Sequence, residues 1–228
     1  MIQRFILIVL VICIQLNSNL VFAHILHYQK LNKLEFDLYR NNKLIGKHIY
    51  VFKRDGKNFT VESKVDFVIK KLGITFYEYF AHGVEKYIDG EFHSFSAKTN
   101  QNKKEKFCNM YRKDNKIYID GSSYKGFAPE GFIIGTWWNH KIIDSKSQIS
   151  AVSGRIIEQN VKFLGKETIK INNIEYNALK FNFSSSDPSL AKGKKLDTNV
   201  WYDEKDLIWL KTTFEKSGFW EYRLINKN

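Results

Sequence analysis

Apolar and polar residues alternate along most of the chain after residue 33, and the apolar positions are rich in Val, Ile, Phe and Tyr. A period of two places successive side chains on opposite faces of a β-strand, so this pattern predicts half-buried strands. The predicted strands span residues 34–40, 43–54, 58–70, 74–88, 91–99, 103–113, 116–121, 148–152, 155–169, 175–184, 197–204, 207–215 and 219–225.

Short turn signals separate many of these strands. The stretches YRNNKL, KRDGKN, YIDGEF, RKDNKI and KINNIE each place two residues of the Asn, Asp or Gly type between apolar runs. Such pairs tolerate the positive φ of tight hairpin turns, so consecutive strands should pair antiparallel. With Asp55–Gly56 as the turn, Phe52 lies opposite Phe59 and Tyr50 opposite Val61. With Asn172–Asn173 as the turn, Lys170 lies opposite Glu175 and Ile169 opposite Tyr176. With Asn41–Asn42 as the turn, Leu38 lies opposite Ile45. The last register makes both faces of strand 43–54 apolar, which predicts a bulge or a sheet covered on both sides.

One segment, GTWWNHKIIDSK at residues 135–146, interrupts the alternation. Its aromatic and aliphatic residues follow Phe132 and Ile134 and are spaced for a short helix near 136–144. A long antiparallel sheet twists and curls, and a curled sheet that does not close needs apolar cover on its concave face. The predicted fold is therefore mainly β: a single curved antiparallel sheet or incomplete β-barrel with a short covering helix near 136–144.

The N-terminus carries the pattern of a secretory signal peptide. Arg4 precedes an uncharged apolar stretch from Phe5 to Leu16, which is shorter than the ~20 residues of a membrane-spanning helix. Val21 and Ala23 suit a cleavage site after Ala23. We therefore expect a signal peptide at 1–23, a single β-rich domain at 24–228 without a transmembrane anchor, and a periplasmic or secreted location.

The chain is basic, with a formal net charge of +12, and its two cysteines leave only Cys108 after the expected cleavage. A lone thiol forms no internal disulfide and is most often a small buried apolar group. The lysine-rich loops at 103–106 and 192–195 have two interpretations: attraction to an anionic envelope surface, or ordinary solvated loops. Arginine is scarce and export is expected, so we expect no nucleic-acid partner.

Three stretches carry a family resemblance: LEFDLYRNNKLIGKH, TWWNHKIIDSKSQISAVSGRI and VWYDEKDLIWLKTTFEKSGFWEYRL. They resemble an uncharacterised family of secreted bacterial proteins known by a domain-of-unknown-function label (6134-type). More distantly, the chain is similar to the incompletely closed antiparallel barrels of lipoprotein carriers (LolA-like and LolB-like), in which a helix covers the concave face and apolar lipid chains bind. The resemblance implies that fold and no established activity.

The sequence carries no recognisable catalytic motif such as Gly-x-Ser-x-Gly, and we lean against an enzyme and expect no cofactor. Around the Asp89–Gly90 turn, His82 should face Ala97 and lie about 14 Å from His93, too far to share one metal ion. One alternative remains: cleavage after Ala23 would expose His24, whose amine and ring could bind copper together with His27 in a secreted copper-binding enzyme.

The function that these patterns favour is non-enzymatic: binding or carrying an apolar, lipid-like small molecule beneath the covering helix, or serving as an envelope scaffold. Ordinary core filling by the aromatic residues is the competing interpretation. The predicted ligand-contacting residues are Phe132, Ile134, Trp137, Trp138, Ile142, Trp201 and Trp209.

Overall fold

The computed structural model describes Tyr28 and residues 30–228, which form one continuous, mostly antiparallel sheet. The strands are β1 (Lys33–Arg40), β2 (Lys43–Asp55), β3 (Asn58–Lys71), β4 (Ile74–Ile88), β5 (Glu91–Gln101), β6 (Lys104–Lys113), β7 (Lys116–Gly121), β8 (Lys125–Phe127), β9 (Ile133–Ile134), β10 (Ser147–Ile149), β11 (Ile156–Ile171), β12 (Ile174–Ser185), β13 (Asp197–Asp203), β14 (Trp209–Glu215) and β15 (Phe219–Lys227). Two short 3-10 helices occur at His140–Ile143 and Lys192–Lys194. The predicted mainly β fold is confirmed.

The sheet runs in sequence order from β8 back to β1, and β1 pairs with β15. From β15 the order continues back through β14 to β9, so the first and last strands pair in the middle of the sheet. All neighbouring strands pair antiparallel except β9 and β10, which form a short parallel pair. Because β8 and β9 end the order at opposite edges, the sheet is open along one seam.

The predicted Asn and Asp turns are confirmed where both loop residues adopt positive φ. Asn41, Asn42, Asn172 and Asn173 all have φ between 48° and 65°. The register around Asn172–Asn173 is also as predicted, with Lys170 opposite Glu175 and Ile169 opposite Tyr176.

The register predicted around Asp55–Gly56 is wrong by two residues. Asp55 pairs with Asn58, and Phe52 therefore faces Val61 instead of Phe59, while Tyr50 faces Ser63. Of the two turn residues at 56–57, only Gly56 has positive φ, at 56°. Glycine at the first central position is the pattern of a type II′ turn, and the two-residue shift leaves every side chain on its predicted face.

The predicted pairing of Leu38 with Ile45 is also wrong, and the anticipated bulge is the reason. The register shifts between Leu38 and Tyr39, so Leu38 faces Gly46. A Cβ atom on Gly46 would lie 2.1 Å from the carbonyl oxygen of Asp66, so this close approach of strands requires glycine. Bulges of this kind bend a strand and increase its twist, which helps the sheet to curl.

The open seam is closed by packing. Ile134 and Ile149, on β9 and β10, contact a buried cluster formed by Phe95, Cys108 and Ile119 on the other arm of the sheet. The backbone of Ser123 donates to the Ser153 carbonyl at 2.9 Å across the same seam. The molecule is therefore barrel-like although its sheet is open.

The main core lies inside the curl, where side chains of β1 to β4 meet those of β12 to β15 and the segment at 135–146. We call residues 135–146 the covering segment. The helix expected near 136–144 is reduced to the single 3-10 turn His140–Ile143, capped by Asn139, whose side chain accepts from the Lys141 amide. Trp138 and Ile142 are fully buried inside the curl, so the segment does cover the concave face.

Residues 1–27 lie outside the described residues, and the predicted signal peptide and location remain predictions. Within the described part of the chain, no helix is long and apolar enough to cross a membrane.

Candidate functional site

The two ends of the barrel differ in how they are filled. The turns at 56–57, 89–90, 114–115 and 172–173 lie at one end, which we call the plugged end. There, Trp138 packs against Tyr28, Phe52, Phe59 and Tyr87 with ring centroids 5.2 to 6.2 Å apart. The opposite end, which carries the turns at 41–42, 72–73, 102–103 and 216–218, we call the open end.

An interior cavity of about 820 Å³ lies between the open end and the covering segment. Its walls are mainly aromatic and aliphatic, and they come from both arms of the sheet and from the covering segment. The apolar lining residues are Tyr50, Val65, Phe67, Ile69, Phe76, Tyr77, Tyr79, Ala81, Phe95, Ala97, Trp137, Ala151, Val152, Phe214, Trp220 and Tyr222. On β3, alternation places Val65, Phe67 and Ile69 on the inner face, because strand residues two apart share a face. Phe76 borders the opening and is 70% exposed.

Several buried polar atoms of the lining residues have no hydrogen-bond partner among the described residues, and two of them lie on neighbouring rings: Nδ1 of His48 and the hydroxyl of Tyr50. Both side chains are more than nine-tenths buried, and their rings lie 4.3 Å apart. Burial lowers the pKa of His48 to about 3, so its imidazole is neutral at physiological pH. A buried polar atom without a partner is costly, and a polar group of a bound molecule would relieve that cost.

The mouth of the cavity is cationic. Arg40, Lys106, Arg155, Lys194 and Lys216 line it, and no aspartate or glutamate is among the lining residues that the structure describes. We call these five residues the cationic rim. They come from β1, β6, the loop after β10, the second 3-10 helix and the turn after β14.

A buried carboxyl group anchors the covering segment below the cavity. The indole nitrogen of Trp138 donates to Glu85 Oε2 at 2.7 Å, and the Tyr87 hydroxyl donates to Oε1 at 3.2 Å. Glu85 is 3% exposed, and burial raises its pKa to about 8 in spite of these two donors, which lower it. The Glu85 side chain therefore holds a proton over much of the physiological range.

The structure brings only some of the predicted ligand-contacting residues together. Trp137 lines the large cavity. Phe132, Ile134 and Trp138 instead line a second, smaller pocket of about 420 Å³ at the plugged end. Ile142 is fully buried in the main core.

The two predicted tryptophans of the C-terminal half lie outside the cavity lining. Trp209 is buried just behind the cavity wall, stacked on Phe36 at 3.8 Å, and its indole donates to Thr212. Trp201 is also buried, at 5% exposure, and its contacts lie away from the cavity: its indole donates to Glu167, and Lys180 lies over its ring. We therefore leave Trp201 out of the proposed contacts.

The sequence did not reveal most of the cavity wall. Of the cationic rim, it indicated only the two lysine-rich loops that contain Lys106 and Lys194, as a candidate contact with an anionic surface. Val65, Phe67 and Tyr79 are apolar strand residues with no local feature that separates them from ordinary core. Once the hairpins were assigned, the alternation of β3 and β4 could have shown that these residues share one face of the sheet. The rim residues are dispersed from position 40 to position 216, and no sequence pattern links them.

The histidines do not form a metal site within the described residues, where no group of three or more His, Cys, Asp or Glu side chains could hold an ion. His82 faces Lys98 and not Ala97 as predicted, because the ladder shifts between Lys86 and Tyr87. His24 and His27, the alternative copper ligands, lie outside the described residues. Cys108 is fully buried and burial raises its pKa to about 12, which makes it an unreactive core thiol.

Comparisons with known proteins support the fold. Residues 36–225 match the profile of a family described as Domain of unknown function (DUF6134). A comparison with curated proteins gave no match. A solved β-barrel-like protein of domain of unknown function DUF1849 from Brucella abortus has 12% sequence identity and a TM-score of 0.61, and the alignment covers 87% of this chain and 97% of that chain.

A putative exported protein with YmcC-like fold from Bacteroides fragilis has 10% identity and a TM-score of 0.34, over 86% of this chain and 94% of that one. At these identities the first likeness shows a shared β-barrel-like fold, and the second is too distant to support a structural argument.

Proposed function

We propose that this chain, which belongs to the domain-of-unknown-function family DUF6134, binds and carries a molecule with an apolar chain in its interior cavity. The observation that carries this proposal is the cavity of about 820 Å³, walled by aromatic and aliphatic side chains and open at one end. Small-molecule sites are typically concave, mostly apolar and roughly 300–1,000 Å³ in volume, so this cavity falls within that range.

The energetic case for an apolar ligand rests on the cavity walls. The rings of Tyr79 and Trp137 are partly buried and border the cavity, next to the buried ring of Phe67. An apolar chain that replaces water there gains roughly 25 cal/mol for each Å² of apolar surface removed from solvent. The unpartnered His48 and Tyr50 atoms add a place where a polar group of the ligand could hydrogen-bond.

The proposed location is the periplasm or the extracellular space, and it rests on the sequence of residues 1–23. Cell fractionation followed by N-terminal sequencing tests this part of the proposal. We expect a mature chain that begins at His24. A cytoplasmic protein that retains Met1 would contradict it.

The binding proposal is tested by titrating the purified mature protein with an uncharged fluorescent acyl ester. We expect saturable binding in wild type. Ala81→Phe, which places a ring inside the cavity, should weaken that binding by about tenfold, the equivalent of roughly 1.4 kcal/mol. Val84→Phe, on the outer face of the same strand, is the matched control and should bind as wild type does. Equal binding by both variants, or no binding by wild type, would contradict the proposal.

A second candidate, an envelope scaffold, is favoured by one separate feature. At the tip of the β3–β4 hairpin, Leu72, Ile74 and Phe76 are 95%, 72% and 70% exposed, and Lys70 and Lys71 stand beside them. A contiguous apolar patch with flanking lysines suits docking on an anionic envelope surface. Leu72→Ser with Ile74→Ser should abolish co-sedimentation with vesicles that contain anionic phospholipid. Unchanged co-sedimentation would remove this candidate.

A further inference from the structure

We propose that the cationic rim selects ligands that carry an anionic head group, so that the ligand is an anionic amphiphile with its chain in the cavity and its head at the open end. This inference rests on the proposed binding function and adds the chemical class of the ligand. The apolar walls alone would accept neutral and charged amphiphiles alike, so they do not determine the charge of the head group.

The first observation is convergence. The five rim residues are separated by up to 176 positions in sequence, and five different structural elements bring them to one opening. At the open end, Arg40 closes β1 and Lys216 follows β14, while Lys106 stands near the start of β6 on the other arm. A head group at this mouth therefore meets positive charge from several sides.

The second observation is the lack of compensating charge. The ion pairs among the described residues use other lysines and arginines, and none uses a rim residue. On the outer surface, by contrast, Lys47 and Arg223 are each paired with a carboxylate. The rim charge is therefore available to a bound anion.

The third observation is that neutral acceptors orient three of the rim side chains without cancelling their charge. Arg40 donates to the Ser217 carbonyl, and its buried Nε has no partner among the described residues. Arg155 Nη1 donates to the Lys194 carbonyl at 3.3 Å, and Lys106 Nζ donates to the Gln101 side chain at 2.7 Å. Arginine offers carboxylates and phosphates a planar pair of donors, so these positions are prepared for such groups.

The walls below the rim determine the orientation of the ligand. Phe214 and Trp220 border the cavity on the β14–β15 side, and Phe67 and Tyr77 border it on the β3–β4 side. No carboxylate of the described lining would repel a head group, and the charged side chains of that lining are all at the rim. The chain therefore points toward Trp137 and the head remains at the rim.

The test compares four ligands that share one twelve-carbon chain: dodecanoate, dodecyl phosphate, dodecanol and dodecyltrimethylammonium. Each displaces the uncharged fluorescent ester from wild-type protein at low salt. We expect the two anions to bind about tenfold tighter than dodecanol, which one or two charge-assisted hydrogen bonds can supply. The preference should shrink as NaCl is raised, because salt screens exposed charges. The ratio between dodecanoate and dodecyl phosphate tells whether a carboxylate or a phosphate head is preferred.

The matched variants have equal changes in net charge. Arg40→Gln, Arg155→Gln and Lys216→Gln combined should remove the preference for anions and leave dodecanol affinity unchanged. Lys86→Gln, Lys113→Gln and Lys116→Gln combined, at exposed positions away from the rim, should keep the preference. If the triple rim variant fails to fold, Lys216→Gln and Lys194→Gln are measured singly, since both side chains are exposed.

The outcomes separate the two proposals. Dodecanol or the trimethylammonium compound binding as tightly as the anions would overturn the head-group inference and leave the binding function intact. Loss of the anion preference in the control variant as well as the rim variant would show a general charge effect, which also overturns the inference. No displacement by any ligand would overturn both.

Discussion

At the scale of single residues, the interior carries polar atoms that the fold itself does not need. The Tyr50 hydroxyl and His48 Nδ1 are buried without a partner among the described residues, whereas the Tyr202 hydroxyl donates to the Trp137 carbonyl at 3.0 Å. Leaving a buried polar group unsatisfied costs about 1–3 kcal/mol. A protein that keeps Tyr50 and His48 at the cavity wall therefore accepts lower stability, which binding of a ligand can repay.

We predict opposite effects for two tyrosine variants. Tyr50→Phe removes an unsatisfied hydroxyl and should raise the free energy of unfolding of the ligand-free protein by about 1 kcal/mol. Tyr202→Phe removes a hydrogen bond and should lower it by about 1 kcal/mol. Urea denaturation of both variants measures the difference. A Tyr50→Phe protein less stable than wild type would show that the hydroxyl is already satisfied.

Glu85 makes stability depend on pH. Its pKa is about 8 in the folded protein and near 4.5 when the chain is unfolded, so the folded state binds the extra proton between these values. The contribution of Glu85 is therefore fully favourable below about pH 4.5 and is lost as pH rises toward 8, with a slope of at most about 1.4 kcal/mol per pH unit.

Glu85→Gln tests this sign. Glutamine keeps an acceptor for the Trp138 indole but cannot ionise, so the variant should gain stability relative to wild type as pH rises from 5 to 8. Urea denaturation at several pH values gives the difference in free energy of unfolding between the two proteins. The other titrating groups are common to both proteins, so their contributions cancel in this difference. Parallel stability curves across that range would contradict the assignment.

At the scale of elements, sequence reasoning worked where local chemistry decides the outcome. Paired Asn and Asp residues tolerate positive φ, and they form the expected turns at 41–42 and 172–173. The bulge at Ile45 in β2 was anticipated because both faces of β2 were apolar. The shift at Lys86 and the parallel pairing of β9 with β10 have no local signal. Those features depend on how the whole sheet curls.

In the covering segment, too, the sequence predicted the buried residues but not the backbone conformation. Burial of its tryptophans followed from their bulk, but the expected helix is only a 3-10 turn because tertiary contacts take its backbone groups. The Trp137 carbonyl accepts from Tyr202, and the Trp138 indole reaches Glu85. A Cβ atom on Gly135 would lie 2.3 Å from the Gln148 side chain, so the start of the segment requires glycine for this close approach.

We predict that Trp138 carries most of the stability of this element. Trp138→Ala removes a fully buried ring and one donor to Glu85, and should cost about 3–5 kcal/mol. Trp137→Ala should cost less, because the Trp137 ring is half-buried and borders the cavity. Chemical denaturation of both proteins checks the order. Equal losses would mean that the large cavity is packed as tightly as the core.

At the scale of the whole molecule, the open sheet, its twist and its apolar interior could be predicted from alternation and turn chemistry. An apolar site beneath the covering segment was also predicted, but the residues that line it and the convergence of charge at its mouth were not. Arg40 and Lys216 meet because β1 pairs with β15 across the middle of the sheet, and Lys106 and Arg155 approach the same mouth because the seam is closed by packing. The approach of these residues depends on the strand register, the bulges and the closure of the seam together, and none of these can be derived from a single sequence.

The central claim is that the interior of this barrel is a ligand site. The most direct test is a crystal structure of the mature protein with 12-bromododecanoate, with the bromine located by anomalous scattering. We expect a bromine peak inside the cavity near Trp137 and the carboxylate among the rim side chains. A protein that shows saturable binding in solution but places bromine only on the outer surface, or a cavity filled by ordered side chains, would contradict it.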